Sequence, residues 1–486
     1  MSRRLIAWLL AACLVPAPVA AQAPAYDLVI RNGRVIDPES GLDAVRSLGI
    51  RNGRITAVSR AALQARTVID ARGLVIAPGF IDLHAHGQND ENYRVMALDG
   101  VTTALELEVG VGDVPVFYAE RAGKALVNYG ASASHIRARM AVLQDGGVAL
   151  GTFLPLDSAG HKVATNAELA EMRRQVERGL AAGGLGVGMG LEYTPAATRH
   201  EVLEMFRVAA QYRAPVFVHT RATGLAEPGS SIESYLEVIG ASAVTGTPVH
   251  IVHLNSTSLA ATPLTLALVR EARGRGLDVT TEAYPYSAGM TELSSPLLDK
   301  FANGPDSMFA KLMLVSTGER LTRASFAASR TPGAVVILFL NTPEMEALAV
   351  TSPLTAIASD GLLRDGKGHP RTAGTSGRIL GFYVRGTGQL SLVEAIRKLA
   401  LLPAQRLERI APMFRNKGRI KVGADADITI FDPATVADKS TYQQPALPSV
   451  GFRYVLVNGV PVVADGVLKD GVYPGRAARG PIRVEH

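Results

Sequence analysis

The sequence predicts an α/β protein in which a (β/α)8 TIM barrel is joined to a small β-sandwich domain built from both chain ends. Strand-like and helix-like segments alternate through residues 76–415, which is typical of parallel βα units. Short strand-like segments with Asn-Gly turns occupy residues 24–75 and 416–486. A length of 486 residues accommodates a barrel of roughly 250 residues or more together with an accessory domain.

The first 23 residues are predicted to form a secretory signal peptide. Two arginines precede an apolar stretch over residues 5–15, and small residues up to Ala23 provide a cleavage site. The stretch is too short for a permanent membrane span, so no transmembrane segment is expected after its removal. The single cysteine, Cys13, lies within it, so the mature chain would have no disulfide. A secreted or periplasmic location is expected, with lipid anchoring through Cys13 as the alternative.

The two ends of the chain carry hairpin signals. Asn-Gly pairs at Asn32, Asn52 and Asn458 each stand between apolar runs, and this arrangement favours a tight turn between two antiparallel strands. Residues 426–431 form a further strand-like run. We therefore expect one small β domain in which strands from both ends pair.

The middle of the chain is expected to supply the eight barrel strands. Capping boxes such as Thr165 to Glu168 mark the starts of the intervening helices. Residues 290–350 are interpreted as an insertion after the seventh strand. The expected strands, of which the third has the weakest signal, are residues 76–86, 101–108, 131–136, 185–193, 216–219, 248–253, 278–284 and 356–360.

A His-x-His pair closes the first strand. Side chains two residues apart on a strand point to the same side, so His84 and His86 direct two imidazoles to one place. Neutral imidazole is a common ligand for zinc and similar ions. The pair therefore indicates the start of a metal site.

Other polar side chains fall at the ends of further strands, where the chemistry of such barrels is located. They are Glu108, or alternatively Glu106, on the second strand, His219 on the fifth, His253 on the sixth and Asp360 on the eighth. Barrel strands are buried on both faces, so charged groups there need partners. Four imidazoles with two carboxylates predict a metal centre.

The remaining histidines are assigned to other places. His250 is three residues before His253, so on a strand it points to the opposite face, and we interpret it as structural or as a partner of a ligand. His135, His161, His200 and His486 lie off the strand-end pattern and are expected on the surface or in loops.

Composition sets limits on the partners. The formal net charge is +6, aromatic residues make up 6% of the chain, and no run of lysine and arginine occurs. Nucleic-acid binding is not expected, because it depends on a concentrated basic surface. The oligomeric state stays open, a homo-oligomer included.

Several motifs together resemble the amidohydrolase superfamily, in particular the N-acyl-D-amino-acid deacylases. The resemblance covers nearly the whole mature chain and implies zinc, amide hydrolysis and the barrel-plus-sandwich architecture. Two positions depart from that family: Glu108 stands where a cysteine ligand is usual, and Asn255 where a lysine usually holds the substrate carboxylate. The motifs are residues 78–86, 100–103, 190–196, 218–221, 283–289, 359–361, 369–375 and 424–433.

From these residues we expect a zinc-dependent hydrolase of a C–N bond that acts on an N-acyl amino acid or related amide. Zinc on His219, His253 and Glu108, with a second ion on His84 and His86 left open, would activate water. Asp360 would act as general base. The candidates for substrate binding are Tyr193, Arg221, Asn255, Tyr284, His369 and Arg371.

Two alternatives remain beside the deacylase hypothesis. A cyclic amidase or dipeptidase of the same superfamily often uses a carboxylated lysine as a metal bridge, but the expected fourth strand, residues 185–193, contains no lysine. A catalytically silent barrel scaffold would be expected to lose its ligands, whereas the full set is present here.

Overall fold

The computed structural model describes residues 25–483. The predicted signal peptide with Cys13, and His486, lie outside the described residues. Within residues 25–483, no helix combines the length and apolar character needed to cross a bilayer.

Strands from both chain ends form one nine-stranded sheet, as predicted for the small β domain. The two ends meet where Val75–Pro78 pairs antiparallel with Ile428–Phe431. An apolar cluster that includes Ile30, Ile50 and Ile428 packs on this sheet. The other strands are Tyr26–Asp37, Leu42–Arg51, Arg54–Ser59, Ala65–Asp70, Phe452–Val457, Val460–Ala464 and Val467–Leu468.

One of the three hairpin predictions is wrong. Asn52 and Asn458 lie in turns between paired strands with φ of 51° each, but Asn32 lies inside the continuous strand Tyr26–Asp37. Its φ of 63° coincides with a shift of register between Ile30 and Gly33. The Asn-Gly pair there forms an irregularity that lets one long strand pair with several partners, instead of ending the strand.

Eight parallel strands follow one another in chain order around the barrel sheet. The third is Asn128–Ser134, and it ends earlier than predicted because Ser134 caps the helix His135–Val142 by accepting a hydrogen bond from the Arg137 amide. The others are Phe80–Asp82, Val101–Val111, Val187–Gly190, Val216–His219, Val249–Ile251, Val279–Ala283 and Thr355–Ile357.

The seam between the eighth and first strands is closed only beyond the strand ends. The Asp360 amide donates to the His84 carbonyl at 2.7 Å, and the His86 amide donates to the Gly361 carbonyl at 3.0 Å. The barrel is thus joined at the same place where its polar side chains collect.

Helices surround the barrel, and several begin at predicted caps. Thr165 and Glu168 form the expected capping box, and the helix that follows buries Leu169, Met172 and Val176 against the strands. The α-helices that surround the barrel are Asp90–Leu98, Val114–Arg121, His135–Val142, Gly146–Leu150, Ser158–His161, Asn166–Ala181, Arg199–Tyr212, Ser231–Thr245, Leu254–Ser258, Thr262–Gly274, Pro343–Thr351, Arg371–Arg378, Leu392–Ile396 and Leu402–Leu407. Tighter or wider helical turns are Leu259–Ala261, Ile379–Gly386, Arg397–Leu401 and Pro412–Asn416.

The segment after the seventh strand forms a small unit of its own. Its strands Gly289–Glu292, Leu312–Leu314 and Val335–Leu338 make a three-stranded antiparallel sheet over a separate apolar cluster. Its helices are Pro296–Leu298, Asp299–Ala302, Asp306–Phe309 and Arg323–Ser329. A two-stranded hairpin, Leu363–Arg364 with Lys367–Gly368, lies after the eighth strand.

Candidate metal centre and active site

The carboxyl ends of the barrel strands bring six predicted side chains into one buried cluster. His84, Glu108, His219, His253 and Asp360 are each at most 8% exposed. The side chain of His86, 8% exposed, lies among them. Convergence follows from the parallel sheet, because every strand ends at the same rim.

Four atoms that can each donate a lone pair to a metal ion form a first cluster, which we call the first donor group. The Nε2 atoms of His84 and His86 are 3.1 Å apart. Glu108 Oε2 lies 3.0 Å from the first and 3.2 Å from the second, and Asp360 Oδ1 lies 3.5 and 3.2 Å from them. Atoms with lone pairs face one another at these distances, an arrangement that a cation between them stabilises.

A second donor group lies on the other side of Glu108. Its Oε1 atom is 2.9 Å from Nδ1 of His219 and 3.3 Å from Nε2 of His253. The two oxygens of one carboxylate therefore face two separate sets of imidazoles. The two oxygens of Glu108 are therefore placed to serve two groups of ligands, and oxygen and imidazole donors suit a divalent metal ion.

Each histidine has a partner on its outer nitrogen. Glu282 lies 2.7 Å from Nδ1 of His84, and Glu106 lies 2.9 Å from Nδ1 of His86. Carboxylates there hold the proton on the outer nitrogen and leave the inner lone pair free for a metal. Glu192 likewise lies 3.0 Å from the outer nitrogen of His219, Nε2. Glu108 thus lies between the donor groups, whereas Glu106 contacts the outer side of His86 and accepts a hydrogen bond from the Gly110 amide.

The cluster attracts positive charge. Burial by itself would lower the pKa of the His84 imidazole, but the carboxylates of Asp360 and Glu108 raise it to about 10. Burial would raise the pKa of the Glu108 carboxyl, but His84, His219 and His253 hold it well below its usual value. Two overlapping sets, His84 with Glu108 and His253, and His84 with His86 and Asp360, are close enough to hold metal ions. The residues present therefore fit a metal centre.

Two of these residues have a backbone that side-chain-bearing residues rarely adopt. Asp360 has a φ of 54° and His253 a φ of 30°, in the left-handed region that costs energy for residues with a Cβ. The Asp360 amide is held by the His84 carbonyl and the following Gly361 amide by Ser359 Oγ. Strain maintained by such contacts is a feature of functional sites.

A main cavity opens beside the cluster and comprises about 600 Å³ together with its solvent-filled mouth. Tyr193, Tyr284 and Asp360 line it with His219 and His253. The wall on the opposite side comes from the insertion. The site therefore has room for a small-molecule substrate next to the metal donors.

Arg371 lies next to Asp360. Its side chain is fully buried, with Nη1 2.9 Å from Asp360 Oδ2 and the guanidinium 4.5 Å from the Tyr284 ring centre. Its nitrogens make no well-directed hydrogen bond with described residues. The guanidinium therefore has donors left for an anionic group of a substrate.

Three other predicted substrate residues have their polar atoms engaged by the protein. Arg221 forms a two-pronged ion pair with Glu237 at 2.7 and 2.8 Å. The side-chain amide of Asn255 donates to the Tyr284 carbonyl and accepts a hydrogen bond from the Tyr284 backbone amide. His369 accepts a hydrogen bond from the Arg371 amide through Nδ1 at 3.1 Å. These contacts shape the site and leave Arg221 and Asn255 without a free donor, whereas Nε2 of His369 has no hydrogen-bond partner among the described residues.

Sequence reasoning missed Glu282 and misplaced His135. Glu282 is 1% exposed and bonds both His84 and His250, so His250 is linked to the metal donors through it, in line with the interpretation of that residue. The sequence signal for Glu282 is that it places a carboxylate within the seventh strand. His135 is fully buried and bonds Glu201 at 2.7 Å, so its prediction as a surface or loop residue is wrong. His161 and His200 are exposed, as predicted.

A barrel with a His-x-His on the first strand, further histidines on the fifth and sixth and an aspartate after the eighth defines the class of metal-dependent barrel hydrolases. The chain matches the amidohydrolase family over residues 67–302 and 341–463. The chain therefore belongs to the amidohydrolase family and is a metal-dependent hydrolase of C–N bonds. The stretch between the two matched ranges falls within the insertion.

Similar proteins agree with this assignment. The chain is 29% identical to the D-aminoacylase of Alcaligenes xylosoxydans xylosoxydans, over 90% of this chain and 94% of that protein. It superposes on the crystal structure of N-acyl-D-glutamate deacylase from Bordetella bronchiseptica, complexed with zinc and a phosphonate inhibitor, with a TM-score of 0.79 and 26% identity. That match covers 94% of this chain and all of the other. A D-aminoacylase structure with a binuclear metal centre gives a TM-score of 0.78 at 25% identity over 93% and 100%.

Proposed function

We propose that this protein is a zinc-dependent deacylase that hydrolyses the amide bond of N-acyl amino acids. The observation that carries the proposal is Glu108, whose two oxygens face two imidazole groups directly beside Asp360. The likeness to D-aminoacylase and N-acyl-D-glutamate deacylase supports this choice of substrate class.

Two zinc positions follow from the donor groups. His84, His86, Glu108 Oε2 and Asp360 would hold one ion, and His219, His253 and Glu108 Oε1 the other. Zinc bound there lowers the pKa of a water ligand toward about 7 and polarises a carbonyl oxygen. The replacement of a thiolate by the harder Glu108 carboxylate favours the occupation of both positions.

Asp360 is the proposed general base. Burial would raise the pKa of its carboxyl, but Arg371 and the neighbouring His84 and His86 hold it far below its usual value, so the carboxylate is ionised at neutral pH. It takes a proton from the attacking water and returns it to the leaving amine. Its Oδ1 atom faces the donor group while Oδ2 contacts Arg371, which fixes the orientation of the carboxylate.

Tyr193 and Tyr284 are proposed as hydroxyl donors to the substrate. Burial raises the pKa of both phenols, that of Tyr284 to about 12, so both stay protonated through the neutral range. A neutral hydroxyl can stabilise the negative charge that develops on the carbonyl oxygen. Arg371 is the proposed partner of the substrate carboxylate, since Asn255 offers no charge and Arg221 is neutralised by Glu237. The secreted or periplasmic location remains a prediction.

The proposal is tested by metal analysis together with a panel of N-acyl-D- and N-acyl-L-amino acids. The wild type should bind one or two zinc ions per chain and turn over some members. Asp360→Asn should lower kcat by about 10²- to 10⁴-fold and still hold zinc at Glu108, His219 and His253. Near-normal kcat in Asp360→Asn would refute the assigned base. Turnover of a cyclic amide or an isoaspartyl dipeptide alone would replace the deacylase with the alternative superfamily activity.

A further inference from the structure

A lysine of the insertion is linked to the metal centre through a buried glutamate. Lys300 lies in the helix Asp299–Ala302, and its Nζ is 2.6 Å from Oε1 of Glu192. The other oxygen of Glu192, Oε2, lies 3.0 Å from Nε2 of His219. His219 in turn directs Nδ1 toward Glu108 at 2.9 Å, within the second donor group. Lys300, Glu192 and His219 therefore form a chain of contacts that ends at a proposed zinc position.

The carboxylate of Glu192 is held at both of its oxygens. Oε2 accepts a hydrogen bond from the Thr223 hydroxyl at 2.9 Å in addition to its contact with His219. Within residues 25–483, the hydrogen-bond donor to Oε1 is Lys300 alone. A terminal carboxylate rotates easily about its last bond, so a donor on each oxygen keeps the group directed at the imidazole. Lys300 thus provides one half of this restraint.

Lys300 also supplies the positive charge that Glu192 needs. Glu192 is 8% exposed, and a buried carboxylate is unfavourable without a compensating charge. Among the described residues, its ion-pair partners are Lys300 and His219. An imidazole that gives the lone pair of Nδ1 to a metal ion keeps its proton on Nε2 and carries no charge of its own. When a metal ion is bound at His219, the lysine is therefore the charged partner of this carboxylate.

The carboxylates behind the first donor group are held by the barrel itself. Glu282 contacts His84 and His250, and Glu106 contacts His86 and a backbone amide. Within residues 25–483, none of the ion pairs of these two carboxylates includes a lysine or an arginine. In the part of the chain that the structure describes, only the second donor group is thus supported by a cation from the insertion.

From these contacts we infer that Lys300 is a positioning residue for the second zinc position, so that tight binding of that ion depends on a side chain that the insertion provides. The inference rests on the proposed function for its two zinc positions. Lys300 contacts none of the metal donors and acts through Glu192. Its side chain is half-exposed and lines the main cavity, so zinc affinity measured without substrate separates this role from a contact with substrate.

The test is competition for zinc between a chelator and the substrate-free protein, in which His219→Ala identifies the ion at the second position. Lys300→Met should weaken the affinity for that ion about 3- to 10-fold, less than the 10- to 100-fold expected for a direct partner of a ligand, and leave the other ion unchanged. Lys300→Arg keeps the cation and should retain most of the affinity. Lys311→Met is the matched control, because Lys311 is an exposed lysine of the same insertion, and it should bind both ions like the wild type.

A double variant tests whether Lys300 acts through Glu192. Glu192→Gln alone should weaken the second ion about 10- to 100-fold, and Lys300→Met added to it should cause no significant further loss, because the carboxylate that transmits the effect is gone. A full further loss in the double variant would overturn the inference. So would an equal loss in His161→Gln, which removes the contact of the insertion with the barrel at Asp299 and leaves Glu192 untouched.

The inference and the proposed function can fail separately. Wild-type zinc affinity in Lys300→Met, together with turnover of N-acyl amino acids, would overturn the positioning role while the deacylase stands. The predicted zinc affinities without turnover of any N-acyl amino acid would refute the deacylase and support the positioning role. A His219→Ala variant that loses no zinc would overturn the second zinc position and the inference with it.

Discussion

Two buried carboxylate clusters in this molecule differ in how their negative charge is compensated. At the junction of barrel and β domain, Lys417 Nζ contacts Asp427 at 2.6 Å and Asp425 at 3.1 Å, and Asp427 also accepts from Asn128 and the Asn458 amide. At the other end of the barrel, the ion-pair contacts of Glu108 are with histidines alone. The first cluster contains its own cation, and the second is built to receive one.

A metal site and a structural ion pair differ in the group that supplies the compensating positive charge. A buried carboxylate needs a compensating charge in either case. Where a lysine supplies it, every acceptor meets a donor. Where acceptors face acceptors, and where carboxylates stand behind three of the four imidazoles, the missing charge is that of a metal.

The largest effect is expected from removing the central carboxylate of the second cluster. Glu108→Ala should abolish tight zinc binding at both donor groups and reduce activity by more than about 100-fold, beyond the range for residues that only orient a ligand. Metal content per chain and kcat/KM measure this, with Glu171→Ala as control, because Glu171 lies on the outer face of the helix Asn166–Ala181 and pairs there with Arg174. Full zinc content in Glu108→Ala would contradict the bridging role.

The first cluster should respond in stability and not in metal binding. Lys417→Met leaves Asp427 and Asp425 without their cation and should lower the free energy of unfolding by about 3–5 kcal/mol. Lys421→Met removes an exposed lysine that pairs with Glu39 at 2.7 Å, and it should cost at most about 1 kcal/mol. Denaturant unfolding of both variants measures the contrast. Equal losses in the free energy of unfolding would show that the buried ion pair contributes no more than the exposed one.

A smaller effect is expected from the carboxylates behind the histidines. Glu282→Gln removes the anionic partner of His84 and should weaken zinc affinity about 10- to 100-fold. Glu201→Gln is the matched control, because Glu201 also bonds a buried histidine, His135, but lies away from the donors. Competition with a chelator measures zinc affinity. A loss of affinity in both variants would point to general destabilisation.

The smallest effect concerns the attachment of the insertion to the barrel. His161 Nε2 is 2.7 Å from Asp299 and its Nδ1 donates to the Asp157 carbonyl at 2.8 Å, and these contacts raise the pKa of the imidazole. The contribution to stability is complete below about pH 6.5 and is lost as the pH rises through the higher folded-state pKa. His161→Gln should flatten the pH dependence of Tm above pH 6.5, whereas His200→Gln should not.

The fold and most of the site could be predicted because each rests on a local signal. Strand and helix alternation, caps and strand-end polar residues are visible in the sequence. The Asn32 irregularity could not be, because only the partners of Tyr26–Asp37 decide whether an Asn-Gly pair turns the chain. Nor could the Arg221 pair with Glu237, since that glutamate lies on the following helix, Ser231–Thr245.

Histidine environments were the least predictable feature. His135 is expected on the surface or in a loop, but it is buried and bonds Glu201, which Arg139 also contacts. Glu282 had a signal, since a carboxylate on a strand buried on both faces requires a partner. Its partner, the first histidine of the His-x-His, is nearly two hundred residues away in sequence, and such pairings follow only from the closed barrel.

The hydrogen bonds that close the barrel seam link metal binding to the exchange of backbone amide protons. The amides of Asp360, His86 and Gly87 donate the backbone hydrogen bonds that join the end of the eighth strand to that of the first, and Asp360 and His86 also belong to the first donor group. Ions that tie these side chains together also oppose the opening of those amide bonds. Deuterium uptake at these three backbone amides should therefore slow as zinc is added, so metal loading can be followed without a substrate.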